Sequence, residues 1–128
     1  MKEVMAVIRM DMINKTKEVL LTEGFPSINC RKVLGRGKKK VDFLIINQMI
    51  VEGLEFSSPK VAEVISEGHR LIPKRLLSMV VKDEEVKKVV DAIISVNSKG
   101  QQGDGKIFIM PVLDAIRIRT GETGEQAI

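Results

Sequence analysis

The chain has 128 residues, 44% of them hydrophobic and 30% charged, with a net charge of +4 and a pI near 9.3. Those figures favour a single soluble globular domain with its own core, and no run of 18 apolar residues offers a membrane span. One cysteine excludes an internal disulfide, and no signal peptide is read at the N-terminus, so a reducing cytoplasmic setting is expected.

Residues 4–8 form an apolar run of strand length and predict a first strand. Residues 11–23 carry apolar side chains at helical spacing, among them Ile13, Val19 and Leu20, and Gly24 suits the position just past a helix end. Residues 25–34 read as a second strand, in which Cys30 is expected to be a small buried hydrophobe. Ser27 has no histidine near it in sequence and is not read as a nucleophile.

A long insert over 36–73 follows, of a length that is usually functional or disordered. It is entered through the cations Arg31, Lys32, Arg36, Lys38, Lys39 and Lys40, then turns apolar over 41–56 with Phe43, Ile45, Ile46 and Phe56. Ser58 and Pro59 supply a cap and first-turn proline for a short predicted helix over 59–67. So many apolar side chains in a connection call for a partner that covers them. His69 has no cysteine or carboxylate at ligand spacing, so no metal site is assigned.

Residues 76–81 read as a third strand. Val86, Val89, Val90, Ile93 and Ile94 then repeat at i, i+3, i+4, i+7 and i+8, and Asp83, Glu84 and Glu85 crowd the start of that helix. Residues 107–118 complete the pattern as a last strand. The order β-α-β, insert, β-α-β matches the split βαβ, ferredoxin-like α+β motif.

The chemistry concentrates near the C-terminus. Gly100-Gln101-Gln102-Gly103-Asp104-Gly105-Lys106 is a glycine-rich turn, and Arg117 and Arg119 alternate with Ile116 and Ile118. Mobile backbone amides, one lysine and two arginines at i and i+2 are equipment for holding a polyphosphate. On these residues alone a solvated lysine and the outer face of an amphipathic strand stay open as readings.

These segments resemble the PII family of nitrogen signal-transduction proteins. The family's ATP loop, Thr-Gly-x-x-Gly-Asp-Gly-Lys-Ile-Phe, is matched from Lys99 onward, with Lys99 in place of threonine. The ending Ile-Arg-Ile-Arg-Thr-Gly-Glu-x-Gly-x-x-Ala-Ile is matched from Ile116 to Ile128. The start of the large surface loop, Gly-x-Gly-x-x-Lys, is matched by Gly35, Arg36, Gly37, Lys38, Lys39 and Lys40. The resemblance implies one PII-like domain over 1–128, a target-binding T-loop insert over 36–73, and a trimeric ring, homomeric or mixed with a paralogue. ATP or ADP would lie between subunits, with Mg²⁺ and 2-oxoglutarate as effectors and no catalysis.

Residue by residue, Gly103, Asp104, Gly105 and Lys106 would surround the phosphates, with Gly35, Arg36, Gly37 and Gly100 in the surrounding motifs. Arg117 and Arg119 would reach the phosphates from the adjoining subunit, and Lys74 would pair with the 2-oxoglutarate carboxylate. Lys38 replaces a phosphate-contacting arginine and loses its bidentate fork. Lys39 replaces a glutamine that helps to hold Mg²⁺ and 2-oxoglutarate, and a charged lysine cannot ligate a metal. The chain has no tyrosine, which removes the uridylylation site of the usual loop. That loop and the Gly-Arg-Gly-Lys start are similar to the nitrogenase-associated PII subgroup, whose expected target is the dinitrogenase component of nitrogenase. Regulation of an ammonium transporter or another nitrogen enzyme is the alternative within the family. A nucleic-acid module using the cations from Arg31 to Lys40 is disfavoured by the shortage of aromatics, 3% of residues. An acylphosphatase-like enzyme on the same fold has nothing but the fold behind it.

Overall fold

The computed structural model describes residues 1–37 and 71–128. In chain order these form β1 (Lys2–Arg9), a 3₁₀ turn (Met10–Met12), α1 (Ile13–Thr22), β2 (Asn29–Gly35), β3 (Ile72–Val81), a 3₁₀ turn (Asp83–Glu85), α2 (Val86–Asn97), β4 (Gly105–Pro111) and a final 3₁₀ turn (Gly124–Ala127). The expected insert helix over 59–67, the apolar run over 41–56, His69, Lys38, Lys39 and Lys40 lie outside the described residues.

The strands make one antiparallel sheet in the order β2-β3-β1-β4, the ferredoxin-like arrangement that the element order predicts. Alternation in β1 sends Val4, Ala6 and Ile8 to one face, where they are buried. Their cross-strand partners on β3 include Met79 and Leu77, also buried. Leu20 from α1 and Val89 and Ile93 from α2 close the core from the same side. A polar contact joins the two helices inside it: Asn97 Nδ2 donates to Thr16 Oγ1 at 2.9 Å.

Three expected boundaries move by about four residues or more, each for a local reason. β2 begins at Asn29 rather than residue 25. Phe25 belongs to the end of α1, where its N–H donates to Leu20 O at 2.8 Å across Gly24 at φ +95, a Schellman closure. β3 begins at Ile72, four residues earlier than expected, because Pro73 pairs only with Leu34 of β2 and lies beyond the last β1 partner, Lys74. β4 ends at Pro111 rather than residue 118, since Pro111 faces Lys2 and β1 has no further residue in the ladder to pair with. Cys30 is exposed, contrary to expectation. It shares a cross-strand row with buried Leu77, but it stands on the edge strand at the margin of the helical layer.

Candidate functional site

The register gathers the candidate residues at one end of the sheet. Arg9 ends β1 and faces Lys74 near the start of β3, while Val7 faces Lys106 at the start of β4 and Ile72 faces Gly35 at the end of β2. By alternation, Arg9, Lys74 and Lys106 belong to the sheet face away from the helices. Cations directly opposite one another on adjacent strands repel, so the Arg9–Lys74 pairing requires compensation.

The connection from α2 to β4 supplies it. Asp104 Oδ1 accepts from Arg9 Nη1 at 2.5 Å, and Oδ2 accepts from the backbone N–H of Lys99 at 2.8 Å and of Gln101 at 3.2 Å. Lys74 Nζ donates to Gly103 O at 2.9 Å. The amide of Lys99, then the amide of Gln101 and the Arg9 guanidinium, hold the Asp104 carboxyl at about 2 against the upward push of desolvation. The Asp104 carboxylate therefore closes the loop from within. Position 99 takes part through its main chain, so lysine in place of threonine leaves this contact intact.

Gly105 opens β4 at φ +118, and a Cβ there would lie 2.1 Å from Val7 O. Only glycine lets the loop pass this close to β1. Gly100 and Gly103 are also at positive φ, at +70 and +95. Lys106 is exposed beside them. Arg9 Nη2 is buried and has no hydrogen-bond partner among the described residues, an orphan donor where a cationic end of the sheet would meet an anion. Arg9 belongs to no motif in the sequence; its one signal there is a cation closing the apolar run of β1.

The two arginines part company. They lie beyond β4, in a hook closed by the bridge Ile116↔Thr123, so they do not share one face of a strand. Arg117 is spent inside the hook, paired with the Glu122 carboxylate and donating from Nη2 to Gln126 O at 2.8 Å. Arg119 is exposed and has no hydrogen-bond or ion-pair partner among the described residues. The hook also leaves the sheet at the Lys2 end of β1, opposite the end that carries Lys106. Arg36 and Gly37 continue from β2 at the Lys106 end, while Lys38 and Lys39 fall outside the described residues.

Fold and site together define a ferredoxin-like α+β protein with a glycine-and-cation cradle at one end of its sheet. The family model for nitrogen regulatory protein P-II matches residues 1–122, and the chain belongs to that family. It is 47% identical over 128 residues to the "Nitrogen fixation nifHD region GlnB-like protein 2" of Methanothermobacter marburgensis, covering all of both chains. It is 37% identical over 124 residues to the "GlnB-like protein 1" of the same region in Methanothermococcus thermolithotrophicus, covering 97% of this chain and 99% of that one. Among solved structures, Arabidopsis thaliana PII bound to citrate matches with a TM-score of 0.69 and 29% identity over 98% of this chain and 87% of that one. The expected nitrogen-fixation subgroup agrees with the names of these relatives, and a nitrogen-regulatory role follows from the family. No described helix is long and apolar enough to cross a membrane.

Proposed function

We propose that this chain is a non-catalytic nitrogen-status sensor that binds ATP or ADP at the loop end of the sheet, responds to 2-oxoglutarate there, and regulates a nitrogen-fixation enzyme, nitrogenase first. The convergence of Lys74, Lys106 and the orphan Arg9 Nη2 around a glycine loop carries the reading. These groups fit a polyphosphate and a carboxylate better than a metal ion. Asp104, the acidic side chain of the loop, already accepts three hydrogen bonds, and Lys39 stands where the family uses a neutral amide. Mg²⁺ would therefore arrive held mainly by the nucleotide, whose charge it offsets.

Assembly follows from two further observations. The sheet face away from the helices carries Met5, Val7, Leu76, Val80, Phe108 and Met110 in paired rows, with Phe108 42% exposed. In the hook, Leu113 and Ile118 are fully exposed. Such surface is a liability in a monomer and suits a ring of three, homomeric or mixed with a paralogue. A neighbouring copy would also bring a hook to the Lys106 end, which this chain's own hook leaves behind.

Native mass spectrometry with ATP, Mg²⁺ and 2-oxoglutarate added in turn tests the whole reading. Three-chain masses with up to three nucleotides are expected, and a monomer that takes up no nucleotide would refute it. Within the trimer, Arg119→Ala is expected to weaken ATP binding by about 1.5–3 kcal/mol, one charge-assisted hydrogen bond, and to leave thermal stability unchanged. Arg117→Ala should instead lower stability, because it releases Glu122 and Gln126 from the hook. Equal ATP affinity in wild type and Arg119→Ala by calorimetry would remove Arg119 from the site. Target recognition is assigned to the 36–73 insert on its sequence. Deleting residues 41–68 should leave an ATP-binding trimer that no longer inhibits the target enzyme; retained inhibition would move recognition to the body of the ring.

A further inference from the structure

The register sets two pairs of like charges on neighbouring strands, one on each face of the sheet. On the face away from the helices Arg9 stands opposite Lys74, and Asp104 supplies a carboxylate to Arg9. On the helix-covered face Lys32 of β2 stands directly opposite Arg75 of β3, whose partner on the other side is Ile8 of β1. Alternation puts Arg75 in the row of buried Leu77 and Met79. Cations so placed repel. This second pair has no counter-charge: neither Lys32 nor Arg75 has a hydrogen-bond or ion-pair partner among the described residues. The paired stretches Asn29–Gly35 and Ile72–Ser78 hold Arg31, Lys32, Lys74 and Arg75 and no carboxylate.

The surroundings of the pair select what would neutralise it. Lys32 is exposed on an edge strand, so an anion can come to it from outside the sheet. Arg75 is partly buried; of its guanidinium only Nε is closed off, and the Nη groups stay reachable. A guanidinium with one side already desolvated holds a carboxylate more strongly than a fully hydrated one. Leu34, two residues beyond Lys32 in the same row, is 63% exposed and faces Pro73. An apolar side chain beside two cations suits a carboxylate with an aliphatic neighbour. It suits a nucleic acid less well, since these rows hold no aromatic on which a base could stack. β2 ends at Gly35 and β3 begins at Ile72, so the shelf borders both ends of the 36–73 insert.

We propose that Lys32, Leu34 and Arg75 form a docking shelf for an acidic segment of the enzyme this chain regulates. A Glu or Asp carboxylate of that enzyme lies between Lys32 and the Arg75 Nη groups, and an aliphatic side chain next to it covers Leu34. The inference rests on the regulatory reading above and adds to it a contact on the body of the protein, beside the insert. The shelf shares no residue with the proposed nucleotide site, which lies across the sheet. Docking removes the repulsion between β2 and β3 as well as forming the ion pair, so its effect exceeds that of an ordinary exposed pair.

The full-length assembled protein is tested against the dinitrogenase component of nitrogenase by biolayer interferometry, with ATP affinity, assembly mass and melting temperature measured on the same samples. Lys32→Ala and Arg75→Gln should each weaken enzyme binding about tenfold and leave ATP affinity and mass unchanged. Lys87→Ala removes the same charge from an exposed position on α2 and should change binding less than about twofold. Lys32→Glu places an acid opposite Arg75 and should raise the melting temperature of the free protein by about 2 °C. Unchanged enzyme binding in both shelf variants overturns the proposal, and so does an equal loss in Lys32→Ala and Lys87→Ala, which would reduce the effect to net charge. A lower melting temperature in Lys32→Glu overturns it as well, because a neighbouring copy would then already neutralise the pair. Should Arg75→Gln fail to fold, Lys32→Ala set against Lys87→Ala still decides. A wild type that binds ATP but not the enzyme ends the regulatory reading and this proposal together, whereas a wild type matched by both shelf variants ends this proposal alone.

Discussion

Gly105→Ala is expected to destabilise the chain by at least about 3 kcal/mol and to leave much of it insoluble. The residue sits at φ +118, outside the range that other residues adopt at low energy. The added Cβ would lie 2.1 Å from Val7 O, 3.2 Å from Val7 C and 3.3 Å from Ile8 Cα. All three atoms are backbone of β1, the strand whose Val4, Ala6 and Ile8 hold the centre of the core. No rotamer relieves that contact. β4 must move off β1, and the ladder from Ile8↔Gly105 to Lys2↔Pro111 loosens with it. The midpoint of urea unfolding reads the effect. Gly35→Ala is the control, since Gly35 is not at positive φ and a Cβ added there would meet nothing within 4 Å. It should shift the stability by no more than about 0.5 kcal/mol. A Gly105→Ala midpoint equal to wild type would contradict the close passage of the loop over β1.

The core was readable because its signals are local and periodic. Val4 and Ile8 in an apolar run, and Val89 and Ile93 in a 3.6-residue repeat, each announce the face they bury. The misplaced boundaries came from residues whose partners are decided elsewhere. Phe25 looks like strand but closes a helix, and Ile116 and Ile118 alternate as a strand would but have no β1 left to pair with. The site divides in the same way. The glycine loop, Lys74 and Lys106 stand out in the sequence. Arg9 does not, because its meeting with Asp104 spans 95 positions and exists only through the β1–β4 register. Nor does spacing tell Arg117 from Arg119. That difference depends on Glu122 folding back onto one of them. Thr16 and Asn97 are polar residues on helix faces that otherwise read as apolar, and the contact between the helices is what gives them a common meaning.

Asp104→Asn is expected to cut ATP affinity at least about tenfold and to remove an acid-sensitive part of the stability. The carboxylate serves donors on both sides: Arg9 at Oδ1, the amides of Lys99 and Gln101 at Oδ2. An asparagine amide can face only one side with its oxygen. Its NH₂ then meets either the guanidinium or the two backbone amides, donor against donor. Arg9 also loses its counter-charge while still opposite Lys74. The loop that carries Gly103, Gly105 and Lys106 is left without its clasp. The pH dependence follows from the sign of the shift. The folded-state pKa of Asp104, about 2, lies below its ordinary value of 3.8. Its contribution is therefore complete above the ordinary value and drains away as pH falls toward the folded one. Urea midpoints of wild type and Asp104→Asn, compared from about pH 7 to about pH 3, should differ by a constant amount until about pH 4 and then converge. A gap that widens in acid, or unchanged ATP affinity in the variant, would show that Asp104 does not organise this loop.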